Sequence, residues 1–179
     1  DSLYVRAGKR EEVMLEGQKY SYLELFTLFV KKLLTLPAKL DPNVAVEQLV
    51  ITTEALNREN MELFSAVMEK LDITPGHFSV IDYPESFYYY AMSQKRELWL
   101  HHVELFDYRK SDLKYVSLER NEKSIPQVVT LKEHNFGPLS GDKDTDFYNA
   151  ASSAFGKRII SAVYLVGDGF DGEWMQKSL

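Results

Sequence analysis

Gly167, Gly169 and Gly172 lie in the stretch Ala162-Val-Tyr-Leu-Val-Gly-Asp-Gly-Phe-Asp-Gly-Glu-Trp174, where an apolar run ends in a glycine turn and a helix start follows. Glycines at such a turn let the backbone bend sharply and approach a ligand without Cβ obstruction, and the N–H groups of the helix start can face an anion. A tight strand-to-helix turn with no ligand uses the same residues. The spacing fits G-x-G-x-x-G, but it occurs at the end of the chain without the downstream acid that would test a dinucleotide site, so that reading is set aside.

The remaining candidates read better as structure than as chemistry. His101 and His102 are neighbours, and neighbours on a strand point to opposite faces, so one buried and one exposed histidine is expected instead of a metal pair. Asp142-Lys-Asp-Thr-Asp146 begins like a calcium loop but has Phe147 where glycine is needed and Ser153 where a bidentate glutamate is needed. It is read as an acidic turn at a helix start. Of Tyr88, Tyr89 and Tyr90, helical spacing sends two into the core. Ser152 and Ser153 have no neighbouring base to activate a nucleophile. No metal site is assigned.

These residues need elements to hold them. Leu3 to Arg6 and Glu12 to Tyr20 read as short strands, with a turn at Glu16-Gly17-Gln18. Ser21 with Glu24 three residues later forms a capping box for a helix carrying Leu25, Phe26, Leu28, Phe29, Leu33 and Leu36, ended by Pro37. Glu47 to Thr53 has the apolar, β-branched composition of a buried strand. Asn57 caps the next helix, with Met61, Phe64, Val67, Met68 and Leu71 at spacings of three and four. Phe78 to Ile81 is a strand, and Pro84 suits the first turn of a helix reaching Gln94. His102 to Asp107, a turn at Arg109 to Asp112, and Leu113 to Leu118 form a hairpin. A strand is expected over Ile125 to His134, a helix over Asp146 to Arg158, and a strand over Ile159 to Val166. The order gives a mixed α/β architecture.

Composition narrows the function classes. The chain has 179 residues, no cysteine, a net charge of -6 and 13% aromatic residues. A disulfide scaffold, cysteine-ligated zinc, an iron–sulfur cluster and a cysteine nucleophile are excluded. So much aromatic content argues against disorder, and net acidity argues against a general nucleic-acid binder. The longest apolar run, Leu23 to Leu36, is interrupted by Glu24, Lys31 and Lys32, so no membrane segment is expected. The chain opens on Asp1 and stops at Leu179 inside an amphipathic stretch, so a piece of a longer protein is expected.

Several segments, taken in order, resemble the actin, sugar-kinase and heat-shock-chaperone ATPase superfamily. Leu49-Val-Ile-Thr-Thr-Glu-Ala-Leu-Asn57 is similar to its "VITVPA" strand, and Val80-Ile-Asp-Tyr-Pro-Glu-Ser-Phe87 to its "NEPTAAA" helix entry. His102-Val-Glu-Leu-Phe-Asp107 resembles the strand leading into the second phosphate loop, "DLGGGT". Val163 to Gly172 resembles the adenosine motif, "VVLVGGS", and Gly17 to Leu25 the chaperones' "G…YSPEEI" entry. The resemblance spans roughly residues 12 to 179. It implies an α/β fragment of an actin-like (ribonuclease H-like) ATPase fold of bacterial type, with mixed sheets flanked by helices. Residues 1–98 would be the later part of lobe one and 99–179 a shortened lobe two. It also implies a cytoplasmic protein with an unidentified protein partner.

The site residues carry over by motif. Gly167, Asp168 and Gly169 would face adenosine or ribose, and Asp107 would stand near the metal-water side, with ATP and magnesium as the implied cofactors. Tyr83 takes the place of the family's glutamate before proline and is a poor magnesium ligand; Glu85, two residues later, could substitute only if the helix entry shifted. After Asp107, Tyr108-Arg-Lys-Ser-Asp112 replaces the glycines, and side chains there obstruct close approach to phosphates. The expectation is therefore a degenerate scaffold or regulatory protein with residual ATP binding at most. The alternatives are an active Mg-ATP-dependent ATPase or kinase using Asp107 and Glu85, and a nucleotide-free interaction module.

Overall fold

The computed structural model describes residues 2–43, 46–109, 112–121 and 128–178. The chain divides into two compact units, Asp1–Tyr83 and Pro84–Leu179. The lobe boundary expected between residues 98 and 99 lies in the 3-10 turn Arg96–Trp99.

The first unit opens with helix α1 (Leu3–Gly8), where the sequence suggested a strand. Ser2 caps it, its Oγ accepting from the Val5 N–H at 3.3 Å. Packing decides against the local strand preference: Ala7 is fully buried, and the Tyr4 ring meets Phe64 at 5.8 Å and Phe26 at 5.9 Å. The hairpin β1 (Glu12–Leu15) and β2 (Gln18–Ser21) follows as expected, turning through Glu16 and Gly17, both at positive φ.

Helix α2 (Tyr22–Leu34) starts on the anticipated capping box, with Glu24 N–H to Ser21 Oγ at 3.2 Å and Ser21 N–H to Glu24 Oε2 at 2.9 Å. Its buried stripe is Tyr22, Leu23, Phe26 and Thr27, whereas Leu28, Phe29 and Leu33 are exposed. Pro37 does not end this helix. The Thr35 hydroxyl closes it by donating to the Lys32 carbonyl at 2.7 Å, and Pro37 sits in the first turn of α3 (Leu36–Leu40), where a missing N–H costs nothing.

Strand β3 (Leu49–Thr53), helix α4 (Arg58–Lys70) and strand β4 (Phe78–Asp82) form a crossover, with β3 and β4 parallel and Ile51 opposite Val80. Asn57 caps α4 through the Asn60 N–H at 2.8 Å. Leu63, Phe64, Val67 and Met68 face the core with Tyr22, Leu23 and Phe26, while Met61 of the expected stripe is exposed.

The second unit is a four-stranded sheet with helices on both faces. Helix α5 (Tyr83–Ser93) leads into β5 (His102–Arg109), β6 (Asp112–Asn121), β7 (Val128–Asn135), α6 (Lys143–Phe155), β8 (Ile160–Val166) and α7 (Glu173–Ser178). Residues 125–127 of the expected strand and residues 110–111 of the expected turn lie outside the described residues. The strand order is β7-β6-β5-β8, with β5 antiparallel to β6 and parallel to β8. Alternation on β5 sends Phe106 and Tyr108 to the face covered by Ala150 and Ala154 of α6, and Val103 to the face covered by Phe87 and Ala91 of α5. Helix α6 begins and ends three residues earlier than expected, because Gly156 at φ +52 stops it. Only Tyr88 of the three consecutive tyrosines packs on the core; Tyr89 and Tyr90 are exposed, which reverses the expected two-to-one split. Among the described residues no helix is long and apolar enough to cross a membrane.

Candidate functional site

The parallel pairing of β5 with β8 sets Asp107 opposite Val166, so both strands end side by side and the glycine turn rises beside Asp107. Residues 60 positions apart in sequence thereby meet at one sheet edge. Gly167 has φ +100, and a Cβ on it would stand 2.3 Å from the Tyr108 carbonyl oxygen and 2.9 Å from Asp107 Oδ1. Glycine is required there on both counts. A Cβ on Gly169 would stand 2.4 Å from Tyr108 Cγ and 2.6 Å from its carbonyl oxygen.

Tyr108 is thus the residue on which the glycine turn closes. Its side chain is 1% exposed, edge-on to Phe170 at 5.7 Å and to Trp174 at 6.5 Å, and Phe147 completes the aromatic cluster. The Trp174 indole N–H donates to the Gly169 carbonyl at 3.2 Å. Burial pushes the Tyr108 phenol above its ordinary pKa, helped by the negative charges of Asp146 and Asp142 and by its hydrogen bond to Asp146. Asp146 itself accepts from Ser140 N–H at 2.9 Å, Ser140 Oγ at 2.8 Å and Gly141 N–H at 3.1 Å. Burial opposes its charge, yet these bonds hold it below the usual carboxylate range. The acidic turn of 142–146 is in this way a structural device, as expected.

The other assigned residues are placed less centrally. Asp107 is mostly buried and engaged by Arg109 Nε at 2.7 Å. Glu85 lies in the first turn of α5, where the Tyr89 hydroxyl approaches it at 3.4 Å. Asp168 is exposed at the start of the turn after β8. Among the described residues no three side chains of histidine, aspartate or glutamate are grouped to hold a metal ion.

The family model described as the C-terminal part of a family of unknown function (DUF5716) matches residues 1–179. The chain belongs to the DUF5716 C-terminal family. No curated protein matches it.

This DUF5716 C-terminal chain also carries a polar cluster that the sequence did not point to. Glu104 of β5 is fully buried, accepts from the Tyr115 hydroxyl at 2.6 Å, and lies 3.7 Å from Arg158 Nη1. Arg158 further donates to Tyr115 Oη at 3.2 Å, to Ser117 Oγ at 3.3 Å and to the Ala154 carbonyl. Burial and the bond to Glu104 push the Tyr115 phenol up to about 12. Beside this cluster a cavity of about 530 Å³ opens between half-buried His102 and Arg158 and exposed Lys132 and His134. His101 is exposed and His102 half-buried, so the histidine pair splits as expected.

Proposed function

We propose that this chain is a degenerate actin-like ATPase-fold domain, acting as a scaffold or regulatory element toward a protein partner and not as an ATP-hydrolysing enzyme. One observation carries the reading: the strand that resembles the second phosphate loop and the strand that resembles the adenosine motif are neighbours and parallel, ending together at Asp107 and Gly167. Two motifs distant in sequence converge on one edge, as a nucleotide cleft built from them requires.

The residues at that edge do not fit ATP and magnesium. The space that glycine leaves at 167 and 169 is taken by Tyr108, the carboxylate of Asp107 is paired with Arg109, and Tyr108 with Arg109 stand where glycines would admit phosphate. Phosphoryl transfer depends on positioning and charge neutralisation, and neither is provided for here. The acidic composition disfavours nucleic acid as the partner.

Phosphate release from Mg-ATP by the full-length protein tests the reading. No turnover is expected; turnover abolished by Asp107→Ala would sink the proposal in favour of an active ATPase or kinase.

A further inference from the structure

We propose that Tyr108 is a built-in occupant of the Gly167–Gly169 turn, so that this edge of the domain is locked in one closed arrangement by its own side chain and carries no nucleotide switch. The inference rests on the proposed function for what the turn would otherwise hold.

Gly169 is the informative position. Its φ lies outside the left-handed region, so its backbone would accept any L-residue. The three atoms nearest to a Cβ there all belong to Tyr108: Cγ at 2.4 Å, Cδ2 at 2.6 Å and the carbonyl oxygen at 2.6 Å. Approaches below 3.0 Å cannot be relieved without movement of the ring and its strand. Glycine at 169 therefore answers to Tyr108. Gly167 answers instead to the residue 108 backbone, whose carbonyl oxygen and carbon would stand 2.3 and 2.8 Å from its Cβ, and its φ of +100 demands glycine in any case.

The ring also ties separate parts of the unit together. Its phenol feels the charge of Asp146 in the first turn of α6, and Asp146 gathers the N–H groups of Ser140 and Gly141. On the far side of the turn, Phe170 and Trp174 stack at 6.0 Å, and Trp174 holds the Gly169 carbonyl. Strand β5, the loop before α6, α6 itself and the turn after β8 are thus joined through one side chain. A ligand entering between β5 and the turn would have to expel a buried aromatic ring, a cost that falls on binding.

Thermal melting of the full chain as a double-mutant cycle tests this. Gly169→Ala is expected to lower the melting temperature by roughly 2–12 °C, the range for overpacking in a chain of this length. In the Tyr108→Ala background the same change should cost clearly less, with part of the penalty kept because the residue 108 carbonyl stays close. Millimolar Mg-ATP should leave the wild-type melting temperature and Trp174 fluorescence unchanged. If Gly169→Ala fails to fold, recovery of folding in the double variant decides the same point, and the Mg-ATP arm on the wild type stands independently. The lock is overturned by a Gly169→Ala variant as stable as the wild type, by additive effects in the cycle, or by stabilisation of the wild type with Mg-ATP. Additive effects without turnover would overturn the lock and leave the scaffold reading standing; turnover lost in Asp107→Ala would overturn both.

Discussion

Tyr115 donates a 2.6 Å hydrogen bond to Glu104, a fully buried carboxylate whose other oxygen, Oε1, accepts no hydrogen bond and faces Arg158 at 3.7 Å. The phenol therefore stabilises a charge that would otherwise be poorly compensated. Glu104 and Tyr115 occupy different strands of one hairpin, and Arg158 follows the C-terminal end of α6, so the three residues pin that end of the helix to the sheet.

Alkaline unfolding should report this bond. The folded Tyr115 pKa is pushed up to about 12 by burial and by Glu104, while an unfolded tyrosine titrates near 10. Between those values the unfolded chain has released a proton that the folded chain keeps, so stability is complete below about 10 and is lost as pH rises toward about 12. The loss is about 3 kcal/mol, at about 1.4 kcal/mol per pH unit. Urea midpoints measured across this range should fall in the wild type and fall less steeply in Tyr115→Phe, relative to each protein's value at pH 8.

Removal of the cation should be worse than removal of the pair. Arg158→Met leaves Glu104 buried with a single donor, and breaking a buried pair from one side costs about 3 kcal/mol. Glu104→Gln added to Arg158→Met removes the uncompensated charge and should recover most of that loss. A double variant no more stable than Arg158→Met, measured by chemical denaturation, would show that Arg158 acts through its packing and its bond to the Ala154 carbonyl instead.

Elements with a local signal were legible in the sequence, and those made by distant packing were not. The capping box at Ser21, the Asn57 cap and the glycine turn after β8 are written in residues within a few positions of one another. Helix α1 carries β-branched and aromatic residues, and the burial of Ala7 and the docking of Tyr4 against Phe26 and Phe64 favour the helix. Tyr108 reads as the residue before a polar hairpin tip, and nothing local tells that it closes on Gly167 and Gly169 from another strand. Glu104 carries no local mark of burial beyond its strand position. Its place in the alternation with Phe106 and Tyr108, which share its face of β5, was the one available signal, and its partner Arg158 is too distant in sequence to be paired with it by pattern.

The first unit offers a separate test that leaves the glycine turn untouched. Ser21→Ala removes the acceptor for the Glu24 N–H and half of the capping box, and should cost about 1 kcal/mol. The Glu24 carboxylate is held below its ordinary pKa by the backbone N–H and the hydroxyl of Ser21. A depressed folded pKa contributes stability that is present above the ordinary carboxylate range and disappears as pH falls through it. The difference in melting temperature between wild type and Ser21→Ala should therefore be largest near neutral pH and shrink toward pH 3, where the protonated carboxyl no longer gains from the cap. A difference that stays constant across that range would assign the whole effect to the Glu24 N–H and Ser21 Oγ bond, with no contribution from the carboxylate.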